Sequence, residues 1–315
     1  MPVTLARIEE ARRNIAGIAL RTPLIRLNTE ASGAAAEEVY LKLESLQPIG
    51  AFKIRGAANS MARIPREQLT RGVFTASAGN MAQGVAYCAR RMGIPATVIA
   101  PENAPETKTR AVERMGGRVL RVPRDQWWQT FETRSFPGVD GTFIHAFDDD
   151  DVMAGNGTIG LDLIEDLPDL DAVVIPWGGG GLACGIASAV KALKPGIRVF
   201  AAETETGAPF SASLAAGRPV EVGYQPSFID GISAKTVFPR MFEEGKRLLD
   251  GSIVVTLADA VAAMRLVAER ARVIIEGAAA CAVAAALSGR AGPGKVVAIV
   301  SGGNIDLAKF AELIR

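Results

Sequence analysis

Short runs of β-branched and apolar residues alternate along the chain with longer segments whose apolar positions recur every three or four residues. "VFTAS" precedes "AQGVAYCARRMG", "ATVIA" precedes "PETKTRAVERMG", "AVVIPW" precedes "LACGIASAVKAL", and "KVVAIVS" precedes "IDLAKFAELI". A period of two giving way to one near 3.6 predicts strands joined by crossover helices, hence an α/β fold with largely parallel sheets. "VYLKLE" alternates as another strand, and Leu5, Ile8, Ala11, Ile15 and Ile18 mark an N-terminal helical face. The alanine-rich "AAACAVAAAL", Ala278 to Leu287, reads as a helix packed closely against a sheet. No repeat, heptad or low-complexity tract appears. The βα units fall into two sets, predicting a small domain over 49–147 and a large domain built from 1–48 and 148–315.

Composition narrows the class of ligand. With 315 residues, 49% of them hydrophobic, the chain can bury a large core. Thirty-five basic residues nearly cancel thirty-four acidic ones, so no strong field draws the protein to nucleic acid or a membrane surface, and a small molecule is the default partner. Nineteen uncharged residues lie between Asp171 and Lys191, close to the length of a membrane span. "PWGGGG" breaks that stretch, because four glycines would cost a helix roughly 1 kcal/mol each, and a strand, a loop and a helix is the better parse. The N-terminus lacks the apolar core of a signal peptide. Cys88, Cys184 and Cys281 are odd in number and far apart, which argues against a disulfide framework or thiolate zinc and for a reducing, cytoplasmic compartment.

In open parallel sheets ligands settle beyond the carboxyl ends of the strands, so the residues just after each strand carry most information. In "VVIPWGGGGLACGIASAV" a buried strand runs into Gly178, Gly179, Gly180 and Gly181 and then a helix. Bare backbone N–H groups and a helix N-terminus make a phosphate cup; a tight turn without a ligand is the alternative. "GGGGLA" also satisfies G-x-G-x-x-A, and Glu203 ends the next strand, which keeps a nicotinamide-dependent oxidoreductase open. His145 is the only histidine, which excludes a multi-histidine metal site. In "FIHAF" it alternates on a strand and reads as a hydrogen-bonded core or lobe-interface residue. Asp148 to Asp151 read as a solvated acidic turn leading into a helix N-terminus rather than a cation site.

With histidine and thiol chemistry scarce, a cofactor would carry the difficult chemistry. Lys53, in "SLQPIGAFKIRGAANSM", sits beside Phe52 and Ile54; burial there would disfavour its ammonium form and free the amine to form an imine or act as base. Taken alone it also fits a surface lysine covering apolar neighbours. In "VFTASAGNMAQGVAYCAR" the segment Ser77, Ala78, Gly79, Asn80 and Met81 opens a helix whose N–H groups can clasp a carboxylate, with Asn80 offering its amide to a ring hydroxyl. In "VVAIVSGGNID" Ser301 ends a buried strand at the same crevice.

As a set, the lysine loop, "SAGN", "GGGGL" and "SGGN" resemble the fold-type II pyridoxal-phosphate enzymes, specifically the threonine/serine dehydratase and serine racemase group. "VMAGNGTIG" and "IIEGAAA" look like further landmarks of it. The resemblance covers nearly the whole chain and implies a two-lobed, tryptophan synthase β-like architecture of twisted parallel sheets flanked by helices. It also implies pyridoxal 5'-phosphate, an amino-acid substrate and a homodimer. By it Lys53 is the catalytic residue that holds the cofactor as an imine, Phe52 packs near the ring, and Asn80 bonds the ring oxygen. Gly178, Gly179, Gly180, Gly181 and Leu182 hold the phosphate, Glu276 and Ser301 complete the cofactor site, and Ser77 to Met81 bind the substrate carboxylate. A neutral Ser301 hydroxyl does not keep the pyridine nitrogen protonated, so loss of a β-substituent competes well with transamination. The activity implied is β-elimination, converting a β-hydroxy amino acid such as L-threonine or L-serine to a 2-oxo acid and ammonia; racemisation or β-replacement on the same cofactor is the alternative.

Departures from the group's pattern refine this. Ala78 stands where similar racemases carry a second serine, and a methyl group cannot transfer a proton. Met81 replaces a common histidine, Ile49 a threonine, Asn156 a glutamine, and Trp177 a small apolar residue. In the group a cation site pairs a glutamate matching Glu203 with an acid six residues on; here that place is Pro209, so no strongly held metal is expected. The chain ends soon after "SGGNID", so feedback control through the regulatory C-terminal domain of biosynthetic threonine dehydratases is not expected.

Overall fold

The computed structural model describes residues 3–30, 32–36, 38–104 and 106–315. Its strands, in chain order, are β1 (Leu24–Arg26), β2 (Glu38–Leu43), β3 (Val73–Ala76), β4 (Ala96–Pro101), β5 (Arg118–Val122), β6 (Thr142–Phe143), β7 (Ala172–Pro176), β8 (Arg198–Thr204), β9 (Gly251–Val255) and β10 (Lys295–Val300). One sheet has the order β1-β2-β10-β7-β8-β9 and the other β5-β4-β3-β6. Every pair is parallel except the edge pair β1–β2. β7 and most of β10 are buried along their length, which is why they read as unbroken apolar runs rather than alternations: helices cover both faces.

Each strand–helix pair expected from the sequence forms, and β3, β4, β7 and β10 are followed by helices Asn80–Met92, Glu106–Arg114, Gly181–Leu193 and Leu307–Leu313. Pro105, which opens one of those quoted patterns, and Met1 and Pro2 lie outside the described residues. The alanine-rich stretch is the helix Gly277–Leu287, buried along almost its whole length; a helix apolar all round has no polar face to give to water. His145 is buried and hydrogen-bonded as expected, but it is not on a strand. β6 ends at Phe143, and His145 lies beyond it at the start of a bend that leads to helix Asp150–Asp166. The acidic run is also less solvated than its composition implies: Asp149 caps that helix by accepting from the N–H groups of Asp151 and Val152, while Asp148, Asp150 and Asp151 pair with Arg7, Arg63, Arg134 and Arg240.

Two devices fasten the helix Lys53–Ala62 to the six-stranded sheet. At its start the Phe52 N–H donates to the Ser301 carbonyl at 2.9 Å, and the Gly303 N–H donates to Gly50 at 2.9 Å. One turn on, the buried Arg55 guanidinium grips Glu44 at 2.8 and 2.9 Å, Asp162 at 2.9 Å and Thr158 at 3.0 Å. Burial pushes the Glu44 carboxyl up, but Arg55, Thr22 and Gln47 outweigh it and hold the group below the usual carboxylate range. Glycines let the neighbouring helix approach: a Cβ on Gly56 would meet Val152 at 2.8 Å, and one on Gly155 would run into the Arg55 carbonyl.

Candidate active site

The Lys53 amine lies beyond the end of β10. Its Nζ donates to the Ala146 carbonyl at 2.6 Å and stands 5.0 Å from the centre of the Phe52 ring. Burial lowers its pKa to about 8, an effect partly opposed by the Glu276 carboxylate. The residue after Ala146 reaches the glycine loop: the Phe147 ring fills the space a Cβ on Gly179 would need, and a Cβ on Gly181 would lie 2.6 Å from the Phe147 carbonyl oxygen. The amine and the Gly178–Gly181 loop thus both abut the two-residue step from Ala146 to Phe147.

Beneath the loop lies Trp177, stacked on Phe210 at 3.8 Å between ring centres. A Cβ on Gly180 would come within 2.7 Å of the indole, and Gly180 has φ 89°, so glycine is required there on both counts. The helix Gly181–Leu193 begins with no side chain capping it. Its first N–H groups are available for an anion, with the helix dipole adding to the attraction. Leu182, on the first turn, is buried in the core, and Asn156 steadies the turn by donating to the Gly181 carbonyl at 3.3 Å.

The "SAGN" segment forms a second uncapped helix start. Gly79 is the N-cap of Asn80–Met92 with no side-chain bond to it, Ser77 accepts from the Gly79 N–H at 3.2 Å, and the space a Gly79 Cβ would enter is open. This helix passes close to the lysine, since a Cβ on Gly84 would be 3.3 Å from the Lys53 carbonyl. Ala78 is partly buried beside Ala82 and Ala104, and the Met81 side chain packs into the core, leaving only its backbone to face a ligand.

Asn80 is engaged at both ends. Its amide nitrogen donates to Glu276 at 2.9 and 3.2 Å, and its oxygen accepts from Asn304 at 2.8 Å. Asn304 also donates to the Ile49 carbonyl at 2.8 Å, tying the lysine loop, "SAGN" and "SGGN" together. Burial raises the Glu276 carboxyl to about 7, with the Asn80 bond pulling the other way. Ser301 is buried directly after β10, with its carbonyl holding Phe52. Asn304, Ala146 and Phe147 are not among the residues that the sequence singles out for the site. Asn304 had a signal, because "SGGN" repeats the form of "SAGN", whereas Ala146 acts through its main chain and leaves no residue-type signal.

Glu203 does not join the crevice as a ribose-binding acid. It is buried at the end of β8, where its carboxylate accepts from the Phe210 and Ser211 N–H groups at 2.8 and 2.7 Å and from the Ser252 hydroxyl at 2.6 Å. Pro209 opens the helix Pro209–Ala216 that supplies those donors. The carboxylate is spent on a helix N-terminus, which removes the acid the nicotinamide alternative needs.

The residues suit pyridoxal phosphate on three counts: an uncapped glycine cradle that any Cβ would crowd, an amine of lowered pKa across from it, and a neutral hydroxyl at the end of β10. Comparison with known proteins agrees. The model of the pyridoxal-phosphate dependent enzyme family matches residues 15–302. The chain is 40% identical over 315 residues to an L-threonine ammonia-lyase of Thermotoga maritima, covering 99% of this chain and 78% of that protein. It is 37% identical over 318 residues to a catabolic L-threonine dehydratase, TdcB, of Staphylococcus aureus, covering 99% and 92%. Among solved structures it superposes on maize serine racemase with a TM-score of 0.92 at 33% identity, covering 99% and 97%. On the strength of these matches and of the site they share a place with, the chain belongs to the pyridoxal-phosphate dependent enzyme family.

Proposed function

We propose that the protein is an ammonia-lyase that dehydrates and deaminates β-hydroxy-α-amino acids, L-threonine and L-serine first among them, to a 2-oxo acid and ammonia. Bound pyridoxal phosphate supplies the electron sink that makes the substrate α-proton acidic. In this reading the N–H groups of Gly178 to Leu182 hold the phosphate, Phe52 packs beside the ring, and Asn80, Glu276 and Ser301 fix the ring's polar edge. Lys53 anchors the cofactor and then, once free, takes the α-proton; an amine near pKa 8 is poised for both roles close to neutral pH. Ser77, Ala78, Gly79, Asn80 and Met81 present the helix start that holds the substrate carboxylate. A methyl group at Ala78 leaves the face opposite the lysine without a proton donor, which favours elimination over racemisation.

The observation that carries this reading is the step from Ala146 to Phe147, which holds the Lys53 amine on one residue and the bare glycine helix start on the next. The L-threonine ammonia-lyase and L-threonine dehydratase among the relatives, at 40% and 37% identity, support the substrate class. The reading extends to two domains, 49–147 against 1–48 with 148–315, and to a homodimer in a reducing cytoplasm; the three cysteines are free and buried, as suits such a compartment. No helix among the described residues is long and apolar enough to cross a membrane.

The test is a panel of threo and erythro β-hydroxy amino acids read out by ammonia release, 2-oxo acid formation and chiral chromatography, with borohydride reduction and peptide mass mapping alongside. Ammonia with 2-oxo acid, a cofactor label on Lys53, and loss of both in Lys53→Ala are expected. D-amino acid as the main product would move the assignment to racemase, and undiminished turnover in Lys53→Ala would remove the lysine from the chemistry.

A further inference from the structure

The sole histidine is buried, 1% exposed, within a cage of phenylalanines: Phe131 at 4.5 Å, Phe147 at 4.8 Å, Phe143 at 5.9 Å and Phe238 at 6.2 Å between ring centres. Its Nδ1 accepts two backbone hydrogen bonds, from the Asp148 N–H at 2.8 Å and the Phe147 N–H at 3.2 Å. A ring nitrogen that accepts carries no proton, so the neutral ring bears its proton on Nε2. The bend those two bonds close presents the Ala146 carbonyl to the Lys53 amine at 2.6 Å, the Phe147 ring to Gly179, and Asp149 to the start of helix Asp150–Asp166. No other side chain bonds to the N–H groups of Phe147 or Asp148 among the described residues. The phenylalanine cage offers nothing that could replace His145 as their acceptor.

We propose that His145 is a positioning residue for the active site: as an uncharged acceptor through Nδ1 it sets the bend 145–148, and so places the carbonyl that orients the Lys53 amine and the ring that walls the phosphate cup. The groups facing it favour the uncharged ring. Burial, together with the nearby cations Arg134, Lys53 and Arg240, pushes its pKa down to about 3, and the carboxylates of the adjoining segment, Asp148 and Asp149, are turned to arginines and to the helix start. Gly179 and Gly181 are the counterpart of this arrangement, since a side chain at either would displace Phe147. The inference rests on Lys53 being the cofactor's anchor, as argued above, but the tautomer arm of its test does not.

Because the chain has one histidine, holoprotein labelled with nitrogen-15 in histidine gives a single imidazole to observe by NMR. An Nε2–H tautomer with an unprotonated, hydrogen-bonded Nδ1, unchanged from pH 6 to 9, is expected; an Nδ1–H tautomer or a ring that titrates in that range would overturn the proposal. A second arm compares His145→Asn, whose amide oxygen stands near the place of Nδ1, with His145→Gln, whose amide oxygen reaches only toward Nε2. Uptake of added pyridoxal phosphate by the apoprotein, followed by borohydride and mass mapping, should be slowed about tenfold or more in His145→Gln and largely restored in His145→Asn. Equal rates in the two variants, whether fast or slow, would reduce His145 to a packing residue. Absence of label on Lys53 in the unaltered protein would instead count against the proposed function and leave the tautomer result standing.

Discussion

Replacing Glu276 by glutamine removes a buried charge while keeping an oxygen to accept from Asn80. Holding this carboxyl at about 7 against its ordinary 4.5 means that the folded apoprotein keeps a proton the unfolded chain has already released between those two values. Stability from this group is therefore full below pH 4.5 and falls as pH rises to 7, by about 3 kcal/mol in all. Glutamine has no proton to lose, so the variant should not show that decline. The assay is urea unfolding of both apoproteins from pH 4.5 to 8.5, analysed as the difference between the two curves, which cancels the other titrating groups. The variant should gain on the parent by up to about 3 kcal/mol across that interval and then hold level. The same change withdraws the carboxylate that favours the Lys53 ammonium, so the pH at which pyridoxal phosphate uptake reaches half its maximum should fall below about 8. Parallel stability curves, or an uptake midpoint that moves upward, would refute the placement of a largely desolvated Glu276 beside the lysine.

Gly179→Ala should force Phe147 aside, costing about 1–3 kcal/mol of stability and weakening cofactor binding about tenfold or more; a titration of the apoprotein with pyridoxal phosphate checks it. Arg55→Gln strips the buried Glu44 and Asp162 of their guanidinium partner, and a loss of about 3–5 kcal/mol in urea unfolding is expected; a loss below about 1 kcal/mol would mean the network relaxes or admits water. Ala78→Ser supplies a hydroxyl opposite the lysine and should bring measurable exchange of the substrate α-proton in heavy water, with some D-amino acid formed. No exchange would count against the assumed position of residue 78.

Much of the site was legible because it is local. A strand end, a glycine and a helix start occupy consecutive residues, so "GGGGLA", "SAGN" and "SGGN" announce helix N-termini and strand ends wherever the fold carries them. The lysine next to Phe52 was legible in kind but not in environment: its lowered pKa comes from burial by segments far along the chain. Glu203 shows the opposite failure, since a spacing that fits a ribose-binding acid is answered by a helix start six residues later whose N–H groups and dipole claim the carboxylate. His145 reads from its neighbours as a strand residue, yet the strand ends at Phe143, the last bond to its neighbour comes from the Ile144 N–H, and two backbone bonds to the His145 ring make a bend instead.

The sequence by itself determined the order of strands and helices, the positions of the bare glycine turns and the chemical kinds of group available, because periodicity and backbone freedom are properties of neighbouring residues. Only the tertiary structure decided that the Ala146 carbonyl meets an amine 93 residues away, that Asn304 links Asn80 to Ile49, and that Glu203 turns aside from the crevice. Those contacts depend on which strands lie side by side and on how closely glycines let helices approach, and neither is written in any one stretch of the chain.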